Sequence, residues 1–148
     1  MARYGCSGQD RHDAGSASRT VPGPNDQWGL TITSAEQQRI LLDNLISARS
    51  PLTRASRHYA MSLMQSVDSD QRWGVPVVAD KGTTAAVKDG WLAVADDGDL
   101  WTVNSVGVVT VHGHTVLVAV MTQHEDSYSS GIARVETLAA ATVAAVQR

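Results

Sequence analysis

The chain is short of the features that most quickly identify a protein. It has a single cysteine, Cys6, so no disulfide can close within it. It has no phenylalanine, and aromatic residues make up only 5% of its 148 residues. Large apolar surfaces must therefore come from four tryptophans and three tyrosines. Charge of one sign is also lacking. The 12 Lys and Arg stand against 15 Asp and Glu, a net charge of −3 with no block of like charges. That excludes the basic face of a nucleic-acid binder or of an anionic-membrane binder. No apolar run approaches the ~20 residues of a membrane-spanning helix; the longest covers 116–121. Residues 1–8 hold no apolar stretch of the kind found in secretion signals or lipoprotein leaders.

What is present suffices for a core: 43% of residues are hydrophobic. The length suits one domain, for which roughly 100–200 residues are typical. Residues 1–29 read as an irregular head, in which Gly5, Gly8, Gly15, Pro22, Gly23, Pro24, Asn25 and Gly29 recur without period. Such a head is expected either to be disordered or to be a surface segment that packs on something else. The domain is expected over 30–148.

Thr33 and Glu36 have the spacing of a capping box, and Ile40, Leu41, Asn44 and Leu45 follow at helical spacing to about Ile46. A second helix opens near Ser50-Pro51-Leu52-Thr53, capped by Ser50 or by Thr53. Its stripe of Ala55, Tyr59, Leu63 and Val67, with Ala60 and Met64 beside it, predicts the buried face. Together the two make an αα-hairpin. A connector over 68–83 carries Trp73, Gly74, Pro76 and Gly82. Three strands are predicted at 85–94, 100–111 and 115–122, joined at Asp96-Asp97-Gly98-Asp99 and at His112-Gly113-His114. Turns this short impose an antiparallel meander. The third strand is apolar at nearly every position, which predicts cover on both faces. An alanine-rich helix over 130–146 closes the chain, with Ile132, Val135, Leu138, Ala139, Thr142, Val143 and Val146 on one side. The fold class is α+β.

Leu52-Thr53-Arg54-Ala55-Ser56-Arg57, the connector around Arg72-Trp73-Gly74-Val75, and a meander closed by an Ala-rich helix resemble the carboxy-terminal half of the penicillin-recognising serine hydrolases. That group includes class A β-lactamases and related penicillin-binding peptidases. Trp28-Gly29-Leu30-Thr31, ahead of the hairpin, is similar to a segment of secreted actinobacterial members. The resemblance runs over about 21–146. It implies a partial β-lactamase fold, in which the helical hairpin precedes the meander and the last helix packs on the sheet.

The family uses a Ser-x-x-Lys for nucleophile and amine, a Ser-Asp-Asn type loop, and a Lys-Thr-Gly on an edge strand. Lys88-Asp89-Gly90 stands where the third belongs. The resemblance implies that Lys88 keeps a cation for a substrate carboxylate and that Gly90 keeps room for ligand backbone. Asp89 departs from the pattern, since a carboxylate there repels an anion that a hydroxyl would bind. As a bare tripeptide the same residues read as a charged strand edge. Ala79-Asp80-Lys81-Gly82-Thr83 has a similar composition but lies too far from the third strand, and reads as loop.

The other two motifs are missing from these residues. The only lysines, Lys81 and Lys88, follow Val78 and Ala85 by three positions, not serine. No serine lies two residues before an asparagine. A serine without a basic partner is a poor nucleophile. The expectation is a truncated relative that is inactive alone, or half of an enzyme completed by another chain, or a non-catalytic interaction module. The implied ligand is a β-lactam or peptidoglycan-type molecule, with no cofactor. The family works in the cell envelope or outside the cell, while the chain shows no export signal, so localisation stays open.

Other polar groups read as structural. His112 and His114 share a strand-like spacing but have no third ligand nearby, and exposed histidines are expected. His124-Glu125-Asp126 reads as a polar loop, and His58, in the second helix beside Tyr59, as structural rather than catalytic. Cys6 has no histidine pattern to activate it. In Asn104-Ser105-Val106-Gly107 the glycine predicts a bulge or a close backbone approach, and Ser105 faces the cleft or the core. The strand over 115–122 would lack its neighbour from the family's amino-terminal part, so self-association or pairing with a complementary chain is expected there.

Overall fold

Ser34, rather than Thr33, starts the first helix. The computed structural model describes residues 31–94 and 98–146, so Cys6, Trp28 and the predicted head lie outside the described residues. Helix α1 spans Ala35–Ile46. Ser34 Oγ accepts from the Gln37 N–H at 3.3 Å, and the Gln37 side chain accepts from the Ser34 N–H at 3.1 Å. The capping box therefore sits one residue later than predicted. Thr33 instead accepts from the Gln38 side chain at 2.9 Å, and Glu36 pairs with Arg39 at 2.8 Å on the surface. Helix α2, Arg54–Gln65, is capped by Thr53, whose Oγ1 accepts from the Ser56 N–H at 3.1 Å. Arg57 donates to the carbonyls of Ile46 and Ser47, placing a cation at the carboxyl end of α1 and tying the hairpin together.

Strands β1 (Ala86–Val94), β2 (Leu100–Val111) and β3 (His114–Glu125) form an antiparallel sheet in that order. The β2–β3 turn has His112 and Gly113 both at positive φ, 50° and 77°, the twist a two-residue hairpin requires. Of the β1–β2 turn, residues 95–97 lie outside the described residues. Helix α3 (Tyr128–Val146) packs on one face of the sheet, and α1 and α2 pack on the other. The partial β-lactamase architecture expected from the resemblance is the one observed. None of the described helices is long and apolar enough to cross a membrane.

On the α3 side the core joins Val103, Val109, Val111, Val118 and Val120 to Val135, Ala139 and Val143. On the hairpin side Leu42 of α1 meets Ala86 and Val108, with Leu45, Met61, Met64 and Leu117 half-buried around them. Both faces of β3 are covered, as its composition predicts. Among the described residues β3 is one edge of the sheet and β1 the other.

Three readings are corrected. The centre of the predicted buried stripe of α2 faces solvent: Tyr59 is 65% exposed and Leu63 54%, while Met64, expected beside the stripe, turns toward the sheet with Met61, and Ala60 and Val67 are half-buried. Helical period identifies an apolar face but not which face finds a partner, and flexible methionines fill the gap against β1. On α3 the buried line is Gly131, Val135, Ala139 and Val143, whereas Leu138 and Val146 are exposed. Small residues let the helix come close, and a Cβ on Gly131 would lie 2.4 Å from Val103 Cγ2. Glu125 is not in a loop: it pairs with Trp101 at the end of β3 and is 5% exposed. Its carboxylate oxygens take Arg134 Nε at 2.9 and 3.0 Å. Gly107 marks a close backbone approach, since a Cβ there would meet the Ala86 carbonyl oxygen at 2.6 Å.

Candidate functional site

Strand period decides where the charged tripeptide points. Lys88, Asp89 and Gly90 pair across β1–β2 with Val106, Ser105 and Asn104. Successive side chains leave a strand on opposite faces. Lys88 is exposed on the hairpin side, and its ammonium donates to the carbonyl of Asp89. Gly90 lies on the same side, and a Cβ added there would meet nothing within 4 Å. Among the described residues β1 is an edge strand, and Lys88 stands at that edge.

Asp89 points the other way and is only 4% exposed. Burial pushes its carboxyl up to about 6 from an ordinary value of 3.8. The Ser105 hydroxyl, the Lys88 ammonium and the Trp73 backbone N–H all favour the charged form, but burial outweighs them. Neither carboxylate oxygen makes a hydrogen bond of good geometry. Ser105 is fully buried, so it does not face a cleft, and its Oγ accepts from the Val75 N–H at 3.0 Å. The hydroxyl hydrogen of Ser105 is thus left to point toward Asp89.

The connector makes this packing. Arg72 donates to the carbonyls of Gln65 and Val67, which seats the chain at the carboxyl end of α2. Gly74 has φ +73°, and a Cβ there would lie 2.5 Å from Ser105 Cβ and Oγ, so only glycine brings the chain this close. Its N–H donates to Glu136 of α3 at 3.3 Å. Trp73 meets Tyr128 edge-on and Trp91 at a tilt, each at 5.9 Å between ring centroids, and Trp101 joins Tyr128 at 5.7 Å. Where the connector passes β1, a cavity of about 250 Å³ opens, lined by Ser66, Val67, Asp68, Gln71, Lys88 and Asp89.

Sequence reasoning located the tripeptide but missed the cavity wall at Ser66, Asp68 and Gln71. The available signal is the run of polar residues where the apolar period of α2 stops. It also missed Asp80, whose carboxylate holds the β2–β3 turn. His58, His112 and His114 are exposed and are not among the residues lining the cavity.

The β-lactamase enzyme family matches the chain over residues 8–146. That match begins inside the predicted head. Among solved structures, a serine-to-glycine variant of the TLA-1 extended-spectrum β-lactamase superposes with a TM-score of 0.59 at 19% identity. The TLA-3 extended-spectrum β-lactamase gives 0.58 at 18%. Each alignment covers 73% of this chain and 40% of the other, so the chain spans about two-fifths of the length of these enzymes. At such identities the likeness establishes the fold alone. No curated protein matches. The family match covers nearly the whole chain, and on that ground the chain belongs to the β-lactamase enzyme family, in the β-lactamase-like group of serine hydrolases.

Proposed function

We propose that these 148 residues form the substrate-anchoring part of a β-lactamase-like serine hydrolase and do not acylate by themselves. Lys88 offers the cation for the carboxylate of a β-lactam or peptidoglycan-type ligand. Gly90 leaves the strand edge open to the ligand's backbone. The observation that carries this reading is Lys88 exposed on β1, an edge strand among the described residues, beside a cavity of about 250 Å³. Neither Lys81 nor Lys88 has a serine three residues before it, so the nucleophile and its amine would come from polypeptide outside these residues.

Incubation with benzylpenicillin tests both halves. Mass spectrometry is expected to show no adduct, and calorimetry to show reversible binding that weakens at least about tenfold in Lys88→Ala. A penicilloyl adduct on the isolated chain overturns the first half. Binding that Lys88→Ala leaves unchanged overturns the second.

A second reading, completion by a complementary chain, is favoured by the apolar residues left uncovered. Tyr59 and Leu63 of α2 are exposed, and among the described residues β3 is an edge strand carrying no lysine or proline to protect it. Pairing there, through the strand at 115–122, would be with a separate polypeptide or a second copy. A concentration-independent monomer by sedimentation, with no covalent labelling restored on mixing with the amino-terminal part of a family member, would sink it.

A further inference from the structure

Asp89 stands where the family's pattern has a hydroxyl, and the structure gives it an environment that a hydroxyl would not need. It is buried against the connector, directly across from Ser105, one residue from the only cation on the cavity wall. Both carboxylate oxygens are shut from solvent, with the Ser105 hydroxyl and the Trp73 N–H as their donors but no hydrogen bond of good geometry. A buried polar group left this way calls for an explanation. No ligand in the cavity can supply one directly, because the oxygens are not exposed to it.

The charge, unlike the atoms, is felt in the cavity. A negative charge adjacent to Lys88 reduces the positive potential that an anion meets at the strand edge, and low-dielectric surroundings screen it poorly. Building on the anchoring role of Lys88, we propose that Asp89 makes anion capture at the β1 edge acid-gated. While the Asp89 carboxylate is ionised the edge holds carboxylate ligands weakly, and once it is protonated Lys88 acts unopposed. Burial places that change in a mildly acidic range, since the group titrates at about 6.

The other charged or titratable groups on the elements packed about Asp89 are Lys88 on its own strand, Asp68 on the cavity wall, Arg72 of the connector, which is bonded to the Val67 carbonyl, and Glu136 and Tyr128 of α3, which meet the connector at Gly74 and Trp73. β2 contributes only the Ser105 hydroxyl. Among these the gate is assigned to Asp89 because it combines burial, a place on the cavity wall and direct coupling to Lys88.

Calorimetry of the full chain with benzylpenicillin, whose carboxylate stays ionised throughout, reads the gate. Wild type is expected to bind roughly tenfold more tightly at about pH 5 than at about pH 8. Asp89→Asn and Asp89→Thr should bind equally at both, as tightly as wild type in acid. Binding by wild type without pH dependence overturns the gate and leaves the anchoring role standing; no binding at either pH overturns both. Loss of the pH dependence in Glu136→Gln or Asp68→Asn instead would reassign it and overturn the proposal. Carboxyl-carbon NMR gives a ligand-free check. The Asp89 signal should titrate near pH 6, and Lys88→Ala should move its midpoint upward. A signal that does not titrate in that range overturns the gate.

Discussion

The carboxylate of Asp80 holds Gly113 across the top of the sheet: one oxygen accepts the Gly113 N–H at 2.8 Å, and the other accepts the His112 N–H at 2.9 Å. Asp80 N–H also donates to the Thr110 carbonyl at 2.7 Å. The loop before β1 is thereby bound to the β2–β3 turn. These backbone donors hold the Asp80 carboxyl below its ordinary value of 3.8. A depressed value means the contribution to stability is present above that ordinary value and is lost as pH falls through the folded one. Asp80→Asn is expected to lower the melting temperature at neutral pH and to flatten the acid side of the stability profile. A variant with the wild-type acid profile would show that the contact contributes nothing.

Asp89 has the opposite sign. Its raised value means that the folded chain holds the proton more tightly than the unfolded chain does. Stability from this source is fully present below 3.8 and is lost as pH rises through about 6. Wild type is therefore expected to melt higher at about pH 4 than at about pH 7 from this group, with Asp89→Asn removing that difference. Thermal melts of the two proteins across the range decide it. Equal slopes for both would exclude Asp89 as the source.

Gly131 lies against the sheet, where an added Cβ would sit 2.4 Å from Val103 Cγ2 and 2.8 Å from Val103 Cβ. In an exposed helix, alanine in place of glycine stabilises by about 1 kcal/mol. Here overpacking against a fully buried valine is expected to win, with Gly131→Ala destabilising by about 1–3 kcal/mol in urea unfolding. A stabilised variant would mean that α3 sits further from the sheet.

The orientation of α1 and α2 has its own contrast. Leu42 is 2% exposed and packs on Ala86 and Val108, so Leu42→Ala is expected to cost about 2–5 kcal/mol. Leu63 is 54% exposed, and Leu63→Ser should change the stability of the isolated chain by no more than about 0.5 kcal/mol. Comparable losses from both would restore the buried stripe that helical spacing alone predicts.

Much of the architecture is legible because its signals are local. Apolar alternation and turn residues placed β2 at its observed bounds, Leu100–Val111, and His112-Gly113 at a tight turn. The capping signal places the start of α1 within one residue, at Ser34 and not Thr33, and includes the Thr53 cap of α2 among two alternatives. Errors arose where two candidate faces or partners compete. Tyr59 and Leu63 stand at regular helical spacing yet α2 turns Met61 and Met64 to the sheet, and Leu138 is larger than the residues α3 buries. β3 runs past the predicted end at 122 to Glu125, whose burial is made tolerable by Arg134, from another element.

The candidate site divides along the same line. Sequence alone determined that a lysine and a glycine flank an aspartate on a strand, that these side chains alternate, and that no Ser-x-x-Lys occurs in these residues. Those are matters of covalent order and of backbone geometry. Only the tertiary structure decided that Asp89 is the one turned inward, that the connector at Gly74 presses on Ser105, and that Lys88 opens on a cavity. Burial and the field at a charge depend on what lies opposite in space, and in this chain the opposing groups come from segments far apart in sequence.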